Sequence, residues 1–212
     1  MKKLALFDVD YTITKRETLQ ELYRYSIKEK KSNIKYLPRA LFSGLMYLVN
    51  VYDEKRVKES FLKFIDGIDE NELKEFVSRF YKNRLSEILY KDGIDMIKKL
   101  KSEGYDVYLI SASPEFYLNE LYSIKEVDLI IGTRFLIENG KFYSKMVGKN
   151  CKGQEKVVRL NEYLKENNIE VDYENSYMFS DSLSDKPLLD LVGNPYLINF
   201  KKDNEIESLK WK

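Results

Sequence analysis

The chain has 212 residues, no histidine, one cysteine, and 36 basic against 35 acidic side chains, for a formal charge of +1. Nucleophile systems that need an imidazole base, histidine zinc sites, all-cysteine metal sites and an intrachain disulfide are thereby excluded. The near-neutral charge gives no global attraction to nucleic acid, and a lone thiol suits a reducing cytoplasm. The acids, bases and nucleophile of an enzyme here are expected among carboxylates, lysines and hydroxyls.

Only four apolar residues, Leu4 to Phe7, separate the basic start from Asp8, whereas a signal peptide needs about 7–15. Residues 3–8 read instead as a buried strand opening into a loop of carboxylates. From 14 to 91 there is no strand signal. Leu19, Leu22, Tyr23 and Ile27 mark one amphipathic helix. Leu73, Phe76, Val77, Phe80, Leu85, Ile88 and Leu89 mark another, behind an N-cap at Asp69 with Glu72 three residues on. The basic run 28–35 reads as a solvated helix end. Residues 40–52 are apolar but shorter than the roughly 20 a spanning helix requires. Stable membrane insertion is not expected, and this segment is expected to form a helix facing the core or the active site.

From 92 onward helices and strands alternate. A helix over 94–101 stops at Gly104, a strand covers 105–111, and Pro114 opens the next helix. A strand over 127–131 precedes a β-hairpin at 134–147 built on Asn139-Gly140. A helix from Gly153 to about Glu166, a strand at 176–180, a short helix from Ser184 and a strand at 195–199 follow. The alternation predicts an α/β fold with a doubly wound, mostly parallel sheet. The domain expectation is a core of residues 1–13 and 92–212 with a helical cap, 14–91, inserted after strand one.

Ligands of open α/β sheets bind at the carboxyl ends of the strands. Here those ends carry Asp8-Val9-Asp10-Tyr11-Thr12, Ser111-Ala112-Ser113, and Asp181-Ser182-Leu183-Ser184-Asp185, with Lys152-Gly153 opening a helix. Carboxylates gathered there would repel one another unless a hard cation joined them, and oxygen ligands suit Mg²⁺. A lysine and a hydroxyl beside it would complete a pocket for a phosphoryl dianion.

These motifs resemble the haloacid dehalogenase superfamily in its phosphoserine phosphatase-like branch, subfamily IB. Residues 8–12 match its DxDxT first motif, Leu109 to Pro114 its second, and Gly132-Thr133-Arg134 with Asn150 to Lys156 its third-motif region. Residues 181–185 with Val192-Gly193-Asn194-Pro195 match the fourth. The resemblance implies a Mg²⁺-dependent phosphomonoesterase acting on a small phosphorylated metabolite, cytoplasmic, with no nucleic-acid partner. It implies Asp8 as nucleophile, Asp10 as general acid and base, Ser111 and the Ala112 backbone as phosphate binders, and Lys152 as their compensating charge, with Lys156 one turn on as the alternative. Asp8, the Asp10 carbonyl and Asp181 would hold the metal, supported by Asp185. Glu17, Arg56 and Tyr11 are the candidates for substrate selection. Tyr11 stands where the family has glycine or serine, and Ser180 where it has glycine. The second motif reads Ser-Ala-Ser-Pro instead of the Ser-Gly-Gly of phosphoserine phosphatases.

Asp10 argues against dehalogenation, since dehalogenases of the superfamily lack that acid. A phosphotransferase or mutase, and a non-catalytic module using its apolar cap for a partner or membrane surface, are the alternatives. Gly148 and Gly153 have P-loop spacing, but Gln154 follows where Lys-Ser/Thr is required. Cys151 lacks the arginine six residues on that a cysteine-dependent phosphatase needs, Val157 standing there.

Overall fold

A computed structural model describes residues 1–202 and 204–212. Its centre is β1 (Leu4–Phe7), four residues buried on both faces. Successive side chains alternate: Leu4 and Leu6 enter one apolar cluster, Ala5 and Phe7 the other. β1 pairs in parallel with β2 (Asp106–Pro114) on one side and β6 (Tyr177–Ser180) on the other. β3 (Leu129–Thr133), β7 (Asn194–Ile198) and β8 (Ser208–Leu209) complete a six-stranded sheet of order β3-β2-β1-β6-β7-β8, parallel throughout. The expected doubly wound sheet is therefore present. The two-residue β8 is an addition that carries too little pattern to be read from sequence. The chain runs outward from β1 to β3 and then returns to the other side of β1, which makes the β1/β6 boundary the switch point of the sheet.

Helix α5 (Lys91–Ser102) covers the Ala5/Phe7 face, while α7 (Gln154–Glu166) and α8 (Lys186–Leu189) cover the other. A short α6 (Glu115–Leu118) follows β2 directly. On the α5 side, Phe7, Tyr177, Phe179 and Tyr196 stack across neighbouring strands, with ring centroids 4.6–6.2 Å apart. Trp211 closes this stack against Phe179 at 5.7 Å, and its ring lies where a Cβ on Gly93 of α5 would come within 3.1 Å. Gly193 is required for a different reason: a Cβ there would sit 2.0 Å from the Glu174 carbonyl oxygen.

Between β1 and α5 the chain is helical, with α1 (Thr18–Glu29), α2 (Leu37–Leu48), α3 (Glu54–Phe61) and α4 (Glu70–Phe80), and short 3₁₀ turns follow α1 and α3. Buried residues of α1 and α4 join the same cluster as Phe7 and Leu109, so the insert shares its core with the sheet. Asp69 caps α4 as expected, accepting from the N–H of Asn71 at 2.8 Å. The single long helix expected through Leu89 does not form. α4 passes into a π turn at Tyr81–Leu85 and a 3₁₀ turn at Ser86–Ile88. The step from Phe80 to the next buried residue, Leu85, is five residues, the period of a π turn.

The expectation that α2 faces the core or the active site holds only in part, through its small residues and Tyr47. Only Ala40 and Ser43 of this helix are buried. These small residues form the packed stripe, so Leu41, Leu45 and Leu48 are left on the outer face. The hairpin β4 (Phe135–Glu138) and β5 (Lys141–Met146) turns at Asn139 and Gly140, whose φ values of 51° and 71° are those of a type I′ turn. It is hydrogen-bonded to the helical insert, Phe142 N to Ile68 O at 2.9 Å and Gly67 N to Phe142 O at 2.8 Å, and forms its own two-stranded sheet.

Candidate active site

The carboxyl ends of β1, β2 and β6 lie side by side, and each contributes polar groups to one cavity of about 440 Å³. Asp8 directly follows β1, and its N–H still donates to Phe179 O of β6 at 2.9 Å. The loop then reverses sharply, so that the N–H groups of Thr12, Ile13 and Thr14 all donate to the Val9 carbonyl at 3.0–3.2 Å. Tyr11 makes the reversal with φ of 58°, the left-handed conformation in which glycine carries no Cβ penalty. Thr12 ties two strand ends together. Its hydroxyl donates to Asp8 Oδ2 at 3.2 Å and accepts the Asp181 N–H at 2.8 Å.

The lysine against Asp8 is Lys156. Its Nζ donates to Asp8 Oδ1 and to Asp185 Oδ2, each at 2.6 Å, and the side chain is 2% exposed. Lys152 lies elsewhere on the rim, 44% exposed and paired with Glu54 of α3. The helix start decides between them: α7 begins at Gln154 after Gly153, so Lys152 precedes the helix while Lys156 projects from its first turn. Asp185 also accepts from the Ser180 hydroxyl at 2.9 Å. The serine that replaces the family's glycine thus holds the carboxylate that holds the lysine.

Burial pushes the Asp8 carboxyl up to about 7, with Lys156 opposing and the charges of Asp185 and Asp10 adding to the rise. Burial alone would lower the Lys156 pKa, but Asp8 and Asp185 outweigh it and hold the ammonium above its ordinary value. Burial also raises Asp181, to about 6, with Asp185 and Asp10 contributing against Lys156.

Asp10 is fixed by two donors, the Thr18 N–H on Oδ1 and the Ser113 hydroxyl on Oδ2, both at 2.6 Å. Thr18 Oγ1 and Tyr117 OH share a further bond at 2.9 Å behind them. Ser111 Oγ accepts the Ser113 N–H at 3.0 Å, which shapes the loop after β2. Across the cavity, Lys58 of α3 donates to Ala112 O at 2.5 Å and to Asn150 Oδ1 at 2.7 Å. Burial lowers its pKa, against the charges of Asp10, Glu54 and Glu17. Asn150 in turn donates to Glu54 at 2.5 Å.

Asp8, Asp10, Tyr11, Glu17, Ser111, Ala112, Lys152, Asp181 and Asp185 all border this cavity, as the sequence reading expects. Arg56 does not. It lies over the Tyr52 ring, 4.2 Å from the centroid, and faces neighbouring surface hollows. Glu17 caps α1, accepting the Gln20 N–H at 2.7 Å, and burial followed by the Asp10 charge pushes it up to about 7. Sequence reasoning missed Thr18, Lys58 and Glu54, and gave Asn150 a place in the third-motif region but no role. Their partners lie 8 to 99 residues away in sequence, and no local pattern marks these contacts. Cys151 is buried behind the site, and burial pushes its thiol up to about 11.

The donor set fits a hard divalent cation. Asp8, Asp10 and Asp181 offer oxygen ligands at one cavity, and the upward shifts of Asp8 and Asp181, from burial and the charges of Asp185 and Asp10, are what a cation would relieve. Among the described residues no three side chains already converge as a cage, so backbone carbonyl and water oxygens would complete the shell, as Mg²⁺ ordinarily requires.

Known proteins share sequence and fold with this chain. A probable phosphatase of Mycobacterium tuberculosis is 23% identical over 198 residues, 92% of this chain and 68% of that protein. A histidinol-phosphatase of Neisseria meningitidis serogroup C is 26% identical over 220 residues, 98% of this chain and 94% of that protein. A substrate-bound phosphoserine phosphatase superposes with a TM-score of 0.64 at 18% identity, covering 95% of this chain and 88% of the other. The match that spans β1 to the fourth motif is to the haloacid dehalogenase-like hydrolases, over residues 5–190, and the chain belongs to that family.

Proposed function

We propose that the protein is a Mg²⁺-dependent phosphomonoesterase that hydrolyses a small phosphorylated metabolite through a phosphorylated Asp8. The observation that carries this reading is the buried bridge Asp8–Lys156–Asp185, set beside Ser111 and Asp181 at the switch point of the sheet. The phosphatases among its relatives support the reaction class.

An Asp8 oxygen attacks phosphorus while the bond to the leaving oxygen breaks, and Asp10 gives that oxygen its proton. Asp10, now a carboxylate, takes a proton from the water that attacks the phosphorus, and the Asp8–phosphorus bond breaks to release phosphate. The Thr18 and Ser113 donors hold Asp10 in place for both steps. Lys156 keeps Asp8 oriented and offsets the phosphoryl charge, and the Ser111 hydroxyl faces the same oxygens. Asp8, Asp181 and the Asp10 carbonyl would hold Mg²⁺, with Asp185 supporting through Lys156. When bound, the metal supplies a Lewis acid for the phosphoryl oxygens.

The helical insert 14–91 acts as the cap, and its Glu17, Glu54 and Lys58, with Lys152 from the loop before α7, select the substrate. Phosphate release from a panel of phosphomonoesters, including phosphoserine and histidinol phosphate, tests the reading. Wild type should release inorganic phosphate with Mg²⁺ and lose activity on chelation. Asp8→Asn should be inactive, and full activity in that variant, or transfer to an acceptor without phosphate release, would overturn hydrolysis through Asp8.

A further inference from the structure

The outer face of α2 is unlike the rest of the surface. More than half of the exposed large apolar side chains in the described residues fall within residues 34–51, including Ile34, Leu41, Phe42, Leu45, Leu48 and Val51. Leu41, Leu45 and Leu48 repeat at i, i+4 and i+7, so they form one stripe along the helix. An apolar groove beside the stripe, lined by Ile27 and Leu37 among others, runs between α1 and α2. Isolated exposed leucines need no explanation, but a contiguous patch of this kind marks an interaction surface.

Charge says which surface covers it. From Lys30 to Tyr52 there is no acidic residue, and Lys28, Lys30, Lys31, Lys35 and Arg39 stand exposed at the N-terminal end of the patch against Glu29, while Asp53 and Glu54 lie past its other end. The chain as a whole is near neutral, whereas this end of the patch carries a local positive excess. The lysines gather at the N-terminal end of α2, next to the apolar stripe and clear of the ion pairs that occupy the cavity. A basic margin beside an apolar helix face is complementary to an anionic lipid surface, where the lysines meet headgroups and the leucines enter the acyl boundary. No helix among the described residues is long and apolar enough to cross a membrane, so the contact is peripheral.

We infer that residues 28–51 dock this protein on an anionic lipid surface, with the Leu41/Leu45/Leu48 stripe inserted at the interface and the flanking lysines on the headgroups. Tyr47, in the last turn of the same helix, lines the catalytic cavity. Docking therefore brings the cavity rim close to the lipid plane.

The test is co-sedimentation of the full chain with phosphatidylcholine vesicles, with and without phosphatidylglycerol. Wild type should bind only the vesicles that contain phosphatidylglycerol, and binding should fall as salt is raised. Leu41→Glu/Leu45→Glu should abolish binding. Lys31→Glu/Lys35→Glu should weaken it by roughly 25-fold or more, since each lysine near an anionic surface contributes about a factor of five. Far-UV circular dichroism should match wild type for both pairs, whose residues are solvent-exposed. Asp8→Asn should bind like wild type, which separates this inference from the catalytic one. No binding to phosphatidylglycerol vesicles, equal binding to neutral ones, or insensitivity to both double substitutions overturns it. So does a dimer in sedimentation velocity that Leu41→Glu/Leu45→Glu dissolves without any vesicle binding, since the face would then cover a second copy.

Discussion

Replacing Lys156 by methionine should show which lysine the site is built around. The change keeps the length and apolar stem of the side chain and removes the ammonium that bridges Asp8 and Asp185 at 2.6 Å each. Removing one partner of a buried ion pair costs about 3–5 kcal/mol, because the remaining charge has neither water nor a counterion. For a chain of this size each kcal/mol moves the melting temperature by about 2–4 °C, so a fall of roughly 6–20 °C is expected near neutral pH and above. Lys152→Met removes only an exposed pair with Glu54, worth about 0.2–1 kcal/mol, and should shift melting by no more than about 4 °C. The pH dependence carries a definite sign. Burial already raises Asp8 to about 7 with Lys156 present, and removing the opposing cation raises it further. An acid whose folded pKa lies above its unfolded value of about 4 contributes stability below that value and loses it as pH rises through the folded pKa. The Lys156→Met deficit should therefore be largest near pH 8 and shrink toward about pH 5. Thermal unfolding followed by circular dichroism in EDTA, so that no cation replaces the lysine, reads both effects. Equal shifts for the two variants, or a deficit that grows toward acid, would refute the assignment of Lys156 as the buried counterion.

Ser180→Gly, which restores the family's residue, removes the buried hydrogen bond to Asp185 and the one accepted from the Ser182 N–H and should lower stability by about 1–3 kcal/mol in chemical denaturation. Asp10→Asn should reduce turnover of alkyl phosphates by about 10²–10⁴-fold and of aryl phosphates far less, because aryl leaving groups need less protonation. Comparing kcat on the two ester classes checks it. Tyr11→Gly removes both the left-handed strain and an exposed ring at the cavity. These oppose the entropy cost of glycine, so stability should change by less than about 1 kcal/mol while the range of accepted esters widens. Glu17→Gln should raise melting near pH 8 and lose that advantage near pH 5. The buried carboxyl at about 7 destabilises the fold only once ionised, and the gain should be on the order of 1 kcal/mol after the weaker helix cap is subtracted.

The sheet was legible in the sequence because its strands are short apolar runs closed by turn residues, as at Leu4–Phe7 before Asp8 and at the Asn139-Gly140 hairpin. The gathering of Asp8, Asp10, Ser111 and Asp181 at one cavity was legible too, since a parallel sheet places consecutive strand ends on one edge. Lys156 was harder to separate from Lys152. Four residues is one helical turn, and only the position of Gly153 as N-cap fixes which lysine points inward. The bonds from Thr18 to Asp10 and from Lys58 to Ala112 depend on packing of α1 and α3 over the sheet, and side-chain type alone does not reveal packing. The outward face of α2 illustrates the same limit. Apolar content suggested burial, but the small Ala40 and Ser43 determine which side of the helix packs.

The ring of Trp211, wedged between Phe179 and Gly93, gives this protein a built-in optical reporter. It is the only tryptophan in the chain, and tyrosines 177 and 196 lie within its stack as energy donors. Its emission therefore registers the integrity of the sheet and the seat of α5, while remaining blind to α2 and α3. Far-UV ellipticity is dominated by the helices. Superimposed melting curves from the two signals would mean that the insert and the sheet come apart as one cooperative unit, and an ellipticity loss preceding the emission change would mean that the helices over the cavity open first.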